Sequence, residues 1–320
     1  MRPELEAVAQ EIEKVIAGKR EAIEKLLTAL LAGGHVLMDD VPGVGKTTLA
    51  AALGRAVGLS CRRIQFTPDV LPSDIVGFSM YDRERGDFTY RPGMLHGANL
   101  VLGDEINRAS SKTQSALLEA MEEGQVTVDG NTYPLADPFL VVATQNSVGA
   151  AGTQLLPYAQ MDRFLMRLRL GYPDFAAQMA MLRARQNAQP MEQVACVLRL
   201  EALRAMQQEA RAVTAREPIL DYITRLAMAS REHPALQIGI SPRGALFLDR
   251  AAKARACLEG RDYVTGTDVQ AVFCDVCAHR VLPSDETQAA GTGTEQVLRG
   301  LLKAVESPDR HSRLGGILKK

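Results

Sequence analysis

A glycine-rich loop between an apolar run and a helical pattern is the feature that most constrains the fold. The apolar run covers residues 35–38, and the Ala/Leu-rich helical pattern covers residues 46–57. Backbone N–H groups in such a loop and at the N-terminus of the following helix converge on phosphate groups. Glycine allows the close approach and the positive φ angles that this geometry needs. The predicted phosphate-binding residues are Val41, Pro42, Gly43, Val44, Gly45, Lys46, Thr47 and Thr48.

Two side chains of this loop have predicted roles of their own. Lys46 places a positive charge on the β- and γ-phosphates, and Thr47 offers a hydroxyl group to Mg²⁺. The usual pattern has a glycine six residues before the lysine, and this chain has Asp40 there. Asp tolerates a left-handed backbone, so the tight turn remains possible. The Asp40 carboxylate is then expected to point away from the phosphates.

A second apolar run ends in two acidic residues. Residues 99–103 lead directly into Asp104 and Glu105. In a phosphate-loop sheet, this arrangement puts Asp104 beside Mg²⁺ and its water shell. Glu105 is then placed to orient and deprotonate an attacking water molecule. The two motifs together predict binding of ATP with Mg²⁺ and its hydrolysis.

Further patterns along the chain indicate two domains. Apolar runs at 139–142 and 164–170 alternate with helical patterns, which indicates a parallel sheet covered on both faces. Gly18 divides a helical pattern over residues 4–31, and residues 125–133 resemble a β-hairpin with Asp-Gly-Asn at its turn. From 175 to 279 no strand pattern is evident. The predicted helices are 110–123, 175–187, 197–213, 218–232, 242–258, 266–280 and 294–305, and the predicted domains are residues 1–190 and 191–320.

Composition and charge restrict the functional class. Hydrophobic residues make up 46% of the chain and the net charge is −1, so bulk electrostatic attraction to nucleic acid or to a membrane is not expected. No window approaches the roughly 18 apolar residues of a membrane span, and the N-terminus lacks an apolar signal core. Five scattered cysteines indicate reduced thiols, with Cys274 and Cys277 on a packed helix. A cytoplasmic location is therefore expected.

Several longer motifs resemble the MoxR family of AAA+ ATPases. They are residues 67–74 (TPDVLPSD), 88–93 (FTYRPG), 104–109 (DEINRA), 112–123 (KTQSALLEAMEE) and 143–146 (ATQN). The resemblance implies a P-loop AAA+ α/β fold, with a five-stranded parallel sheet, helices on both faces and a smaller all-α lid domain. It also implies that residues 74–92 are an insertion in the second helix. With the 125–133 hairpin, they would form loops that move with the nucleotide state, unless both segments only decorate the surface.

The resemblance also assigns four polar residues near ATP. Asn146 resembles sensor 1, which can hydrogen-bond the attacking water or the γ-phosphate, although an Asn at a strand end also caps turns. Arg163 matches the arginine finger that acts on ATP of a neighbouring subunit, and Arg108 is a competing interface arginine. Arg243 resembles sensor 2, aimed from the lid towards the phosphates by a Ser-Pro helix start. Both Arg163 and Arg243 have the alternative of being surface arginines.

The resemblance implies an oligomer that does mechanical work. A homo-hexameric ring is expected, which remodels or matures a client protein with a von Willebrand factor A-domain protein as adaptor. The alternatives are a nucleic-acid motor and an ATP-dependent regulatory switch. Scarce aromatic residues, 5% with no Trp, argue against the motor, since stacking platforms would be few. Glu105 and Arg163 argue against a switch that never turns over ATP.

Overall fold

The computed structural model describes residues 1–145, 156–184, 186 and 190–309. Its strands form one central sheet and three small antiparallel ladders. The strands, numbered in chain order, are β1 (Val36–Asp39), β2 (Cys61–Gln65), β3 (Gly77–Asp82), β4 (Asp87–Pro92), β5 (Leu100–Asp104), β6 (Gln125–Val128), β7 (Asn131–Pro134), β8 (Leu140–Gln145), β9 (Met166–Leu168), β10 (Leu236–Ile238) and β11 (Leu282–Pro283).

The helices cover both faces of the central sheet and then form the lid. Among the described residues, no helix is both long and apolar enough to cross a bilayer. The helices are α1 (Pro3–Glu13), α2 (Arg20–Ala32), α3 (Lys46–Ala56), α4 (Pro72–Val76), α5 (Ser111–Glu123), α6 (Tyr158–Met161), α7 (Phe175–Ala184), α8 (Leu200–Ala212), α9 (Glu217–Arg231), α10 (Pro242–Leu258), α11 (Gly266–Cys277), α12 (Asp285–Ala289) and α13 (Thr294–Ala304).

The central sheet has the strand order β2-β5-β8-β1-β9, and every neighbouring pair is parallel. The four apolar runs predicted as strands correspond to β1, β5, β8 and β9. All residues of β1, β5 and β8 are buried, as expected for strands covered on both faces. The residue pattern did not predict β2, because this edge strand is mostly polar and only Ile64 is buried.

Two apolar clusters pack on the sheet, one on each face. The first contains α2, α3 and one side of the sheet, and it continues without interruption into the lid helices α8 to α11. The second contains α5 on the other face, where Leu117, Leu118 and Met121 are buried as the helical spacing predicted. The predicted parallel sheet with helices on both faces and a helical lid is confirmed.

In its described part, the lid combines helices with one short ladder and an isolated bridge between Thr214 and Tyr263. The expectation that no strand occurs between residues 175 and 279 is wrong at β10, which pairs antiparallel with β11. Neither strand is longer than three residues, so its pairing depends on how the lid packs rather than on a local pattern. The lid contains Cys274 and Cys277 on α11, where burial raises the pKa of Cys277 to about 12. The division into residues 1–190 and 191–320 stays a prediction.

Two hairpins project from the sheet domain. The predicted hairpin at 125–133 is confirmed as β6 and β7, with positive φ at Asp129 and Gly130, as a tight two-residue turn needs. The segment 74–92, predicted as an insertion, contains the β3–β4 hairpin. Tyr90 stacks on Tyr133 with ring centroids 3.8 Å apart, so the two hairpins contact each other. Their movement with the nucleotide state remains a prediction.

Candidate nucleotide-binding site

The phosphate loop joins the carboxyl end of β1 to the first turn of α3. Gly43 and Gly45 take positive φ angles of 82° and 98°, as the loop geometry predicted. A Cβ atom on Gly43 would have no atom within 4 Å, whereas one on Gly45 would lie 3.1 Å from the Ile16 side chain. The N-terminus of α3 therefore faces an open cradle in which backbone N–H groups can bind an anion.

The Lys46 side chain reaches the carboxyl ends of β1 and β8. It is 7% exposed, and its Nζ donates to the backbone carbonyls of Asp40 at 2.7 Å and of Gln145 at 3.2 Å. Burial lowers the pKa of Lys46, and the nearby Asp40 carboxylate opposes this effect. Carbonyl oxygens of two parallel strand ends thus hold the ammonium group where an incoming phosphate can share it.

Asp40 does not use the left-handed backbone that an aspartate tolerates. The described residues other than glycine with positive φ are Glu105 and Asp129. As expected, the Asp40 carboxylate points away from the loop interior: it accepts hydrogen bonds from the backbone amides of Leu170 and Gly171 at 2.6 Å and of Val41 at 2.8 Å. Asp40 therefore fastens the phosphate loop to the end of β9.

Asp104 lies beside the loop at the carboxyl end of β5. The Thr47 hydroxyl donates to Asp104 Oδ1 at 3.3 Å, so the two predicted magnesium-facing groups are adjacent. Arg63 Nε on β2 donates to Asp104 Oδ2 at 2.7 Å, and the carboxylate is 5% exposed. Oxygen ligands of this kind fit Mg²⁺, which keeps most of its waters and uses only one or two protein groups.

Glu105 has a constrained backbone at the end of the same strand. Its φ angle is 57°, an uncommon value for a side chain of this type and typical of functional positions. Its amide donates to the Thr144 hydroxyl at 3.0 Å, which fixes it against β8. The carboxylate accepts from Arg108 Nη1 at 2.9 Å and from Gln65 Nε2 at 3.2 Å. Arg108 therefore lies next to the acids of its own chain.

The walls of the pocket beside the loop were not predicted from the residue patterns. The pocket has a volume of about 550 Å³, within the range of small-molecule sites. Lys19 Nζ donates to the Tyr172 carbonyl at 2.7 Å and closes one side. Apolar side chains next to a phosphate cradle can cover the flat base of a nucleotide. The residue types in segments 15–19 and 172–181 do not by themselves predict such a pocket. Apart from the loop, the lining residues are Val15, Ile16, Ala17, Lys19, Tyr172, Pro173, Ala177, Gln178 and Met181.

Arg163 and Arg243 lie together in a different place. Arg163 Nε donates to Glu122 Oε2 at 2.9 Å, and Arg243 Nη2 donates to the other oxygen of the same carboxylate. With Arg211 and Arg250 they line one cleft, which we call the arginine cleft. This cleft also contains residues 33–35, 137–139 and 165, which precede β1, β8 and β9. It therefore lies at the amino ends of the parallel strands.

The expectation that Arg243 points to the phosphate loop of its own chain is wrong. The loop and both acids lie at the carboxyl edge of the sheet, and a four-residue strand is about 13 Å long. The predicted helix start is present, since the Ser241 hydroxyl caps α10 by accepting from the Gly244 amide at 3.0 Å. The first turn of α10 places Arg243 at the amino edge of the sheet, in the arginine cleft. Asn146 lies outside the described residues.

Arg280, which lies just after α11, holds the segment that carries Arg163. Arg280 is 1% exposed and donates from Nε to the Asp162 carboxylate at 2.8 Å. It also donates to the backbone carbonyls of Asp162 at 3.0 Å and Leu165 at 3.1 Å. A buried guanidinium satisfied in this way fixes the backbone on both sides of Arg163 relative to the lid. Sequence reasoning did not identify Arg280 or Glu122, whose partners are distant in the chain.

A phosphate loop and acids at the carboxyl edge of a parallel sheet, followed by a helical lid, define a P-loop protein of the AAA+ class. A family profile described as "ATPase family associated with various cellular activities (AAA)" matches residues 35–166. A second profile, described as "AAA lid domain", matches residues 228–300. Both matches agree with the observed sheet domain and lid.

Relatives that match nearly the whole chain identify its family within the AAA+ class. It is 46% identical over 312 residues to the uncharacterized protein YeaC of Bacillus subtilis (strain 168), covering 98% of this chain and 97% of that protein. It is 38% identical to the chaperone MoxR1 of Mycobacterium tuberculosis, covering 95% and 82% of the two chains. A crystal structure of a protein from Cytophaga hutchinsonii superposes with a TM-score of 0.86 at 38% identity, covering 95% and 94%. The chain belongs to the MoxR family of AAA+ ATPases.

Proposed function

We propose that this chain is a Mg²⁺-dependent ATP hydrolase that works as a homo-hexameric ring. ATP would lie with its phosphates on residues 41–48 and its base in the pocket between α1, α2 and α7. The observation that carries the proposal is the arrangement of Thr47, Asp104 and Glu105 beside the phosphate loop. A magnesium-facing pair and a constrained Glu in this position suit attack by water on a terminal phosphate.

The proposed chemistry assigns one task to each polar group. Mg²⁺, when bound through Thr47 and the waters around Asp104, would neutralise charge on the β- and γ-phosphates. Lys46 would share its proton donors between the strand-end carbonyls and the phosphate oxygens. Glu105 would accept the proton of the attacking water, and for this its carboxylate would have to leave Arg108 and Gln65. Asn146 is proposed to hold that water from the next strand.

The ring is supported by the positions of the arginines. Arg163 and Arg243 lie at the amino edge of the sheet, away from the phosphate loop of their own chain. In a ring, one subunit's arginine cleft can face the nucleotide of the next subunit, where both arginines would stabilise transition-state charge. Arg108 pairs with Glu105 in its own chain, so we propose Arg163 as the main arginine acting in trans.

The proposed outcome of hydrolysis is remodelling or maturation of a partner protein. The relative named as a chaperone supports this class of work. A von Willebrand factor A-domain protein is proposed as the adaptor, and the cytoplasm as the location. A pull-down with a Glu105→Gln chain in the presence of ATP tests this part. Recovery of nucleic acid rather than protein would contradict it.

Glu105→Gln tests hydrolysis itself. The variant should bind a fluorescent ATP analogue with unchanged affinity, because the phosphate loop is intact, and should lose ATP turnover by at least about 100-fold. Glu119→Gln is the matched control, since Glu119 is an exposed carboxylate on α5 without an ion pair in the described part of the chain. Normal turnover by Glu105→Gln would remove Glu105 from its proposed role.

Mixed assemblies test action between subunits. Arg163→Ala should lose about 10³-fold or more in turnover, the usual effect of removing such an arginine. Adding Glu105→Gln chains should restore activity, because their intact arginines serve the intact sites of Arg163→Ala neighbours. Arg62→Ala, an exposed arginine on β2 without an ion pair among the described residues, is the control. Absence of rescue at every mixing ratio would contradict a trans-acting Arg163.

A further inference from the structure

One carboxylate joins arginines from the two domains. Glu122 lies at the carboxyl-terminal end of α5, Arg163 just before β9 and Arg243 at the first turn of α10. Arg163 Nε approaches Glu122 Oε2 at 2.9 Å, and Arg243 Nη2 binds Oε1. Each oxygen therefore receives one guanidinium. All three side chains are between 32% and 42% exposed, so the group remains accessible from solvent.

Among the residues that the structure describes, the hydrogen bonds leave most donors of both arginines available. A guanidinium has five N–H donors in a fixed plane. Arg163 donates to Glu122 from Nε and keeps the edge formed by its two terminal nitrogens. Arg243 uses one terminal nitrogen and keeps its remaining edge. Glu122 can thus hold one edge of each guanidinium while the other edge meets a second anion.

The charge arrangement also favours a second anion. Glu122 offsets the mutual repulsion of the two guanidinium groups, but it neutralises only one of their two positive charges. Partial burial opposes ionisation of Glu122, but Arg163 and Arg243 outweigh it and lower the pKa of this carboxyl. The group keeps a net positive charge, and Arg211 and Arg250 line the same cleft. An anion with several oxygen atoms, such as a polyphosphate, fits this arrangement.

The backbones that carry the two arginines are already fixed. Arg280 binds the chain on both sides of Arg163, and the capping Ser241 fixes the start of α10. Neither interaction determines where the long arginine side chains end. Glu122 supplies that constraint, because it is the carboxylate that both guanidinium groups contact.

We propose that Glu122 is a positioning residue that braces Arg163 and Arg243 as one unit, directed at the triphosphate held by the neighbouring subunit. The proposal rests on the function proposed above. It adds that Arg243 and Arg163 act as one unit. Their relative positions would depend on Glu122, which would contact neither the nucleotide of its own subunit nor that of the neighbouring subunit.

Glu122→Gln tests the brace directly. Loss of the charge weakens both contacts, and a displacement of reacting groups by about 1 Å costs up to about 100-fold. We expect kcat to fall on the order of 10-fold. Binding of a fluorescent ATP analogue should stay unchanged, since the phosphate loop lies at the other edge of the sheet. The thermal midpoint should also stay unchanged, because exposed ion pairs add little stability. Glu119→Gln should behave as wild type, and wild-type kcat in Glu122→Gln would overturn the proposal.

Two further measurements separate positioning from a general structural role. In an Arg163→Ala/Arg243→Ala background, Glu122→Gln should have no additional effect on turnover, since nothing remains to be braced. A further 10-fold loss there would overturn the proposal. Mixing with Glu105→Gln chains should restore Glu122→Gln as it restores Arg163→Ala.

The mixing experiment also distinguishes the proposed brace from the proposed action between subunits. If Arg163→Ala is rescued and Glu122→Gln is not, the brace is refuted and the intersubunit function stands. If Arg163→Ala is not rescued, the intersubunit function is refuted, and the proposed role of Glu122 is refuted with it.

Discussion

Protonation of His35 should destabilise the fold at mildly acidic pH. His35 directly precedes β1, is 8% exposed and lies between the sheet and α5. Its Nδ1 accepts from the Val141 amide at 3.0 Å, and its Nε2 lies 2.9 Å from the Met121 carbonyl. Only the neutral ring with its proton on Nε2 satisfies both partners, because a second proton on Nδ1 would face the Val141 amide.

The size of the effect follows from the pKa. Burial lowers the pKa of His35 from 6.5 to about 4, and the nearby Arg250 adds to the effect while Met121 opposes it. The unfolded chain therefore binds a proton at a higher pH than the folded chain does. The stabilisation is fully present above pH 6.5 and is lost as the pH falls towards 4. The total is about 3 kcal/mol, of which about 2 kcal/mol is lost by pH 5.

Two assays measure this contribution. Urea unfolding between pH 7.5 and 5 should show a steeper loss of stability in wild type than in His35→Gln, which cannot take up the proton. His279 is also buried with a lowered pKa, but it contributes equally to both chains. NMR titration of the His35 ring in the folded protein should give a pKa below 5. Parallel unfolding profiles, or a ring that titrates near 6.5, would refute the reasoning.

Three other substitutions test particular contacts. Asp40→Ala should remove the carboxylate that ties the phosphate loop to the end of β9 and speed exchange of the two amides there at least about 10-fold, as measured by hydrogen exchange; unchanged exchange would contradict this tie. Arg280→Met should lower the free energy of unfolding by about 3–5 kcal/mol, because Asp162 loses its buried partner; a loss under about 1 kcal/mol in urea would count against it. Gly54→Ala would put a Cβ 2.0 Å from Cys61 Sγ and should cost about 1–3 kcal/mol. Cys61→Ala in the same chain should recover most of that loss in thermal unfolding.

The sequence predicted those parts of the fold that depend on neighbouring residues. Strands β1, β5 and β8 are continuous apolar runs because both of their faces are buried. The hairpin at 125–133 follows from its Asp-Gly turn. Edge strand β2 and the short β10–β11 ladder were not predicted, since their pairing depends on partners 35 or more residues away in the chain.

The same division applies to the candidate site. The phosphate loop and the acids at 104 and 105 are local motifs, because a strand end and a helix start fix each of them within a few residues. The sequence alone therefore determined that the chain has a P-loop sheet with a phosphate cradle and an acidic strand beside it. It could not determine where Arg243 lies. This residue is part of the lid, and its position depends on how the lid packs against the sheet domain, which is far away in the sequence.

Tertiary structure alone decided three features of this protein. Asp40 binds two backbone amides just after β9. Arg243 joins Arg163 on Glu122 at the edge of the sheet opposite the phosphate loop. Arg280 connects the lid to the chain around Arg163. Each contact joins residues 41 to 131 positions apart. Local sequence patterns reflect local backbone preferences and burial, so they carry no signal for such pairs.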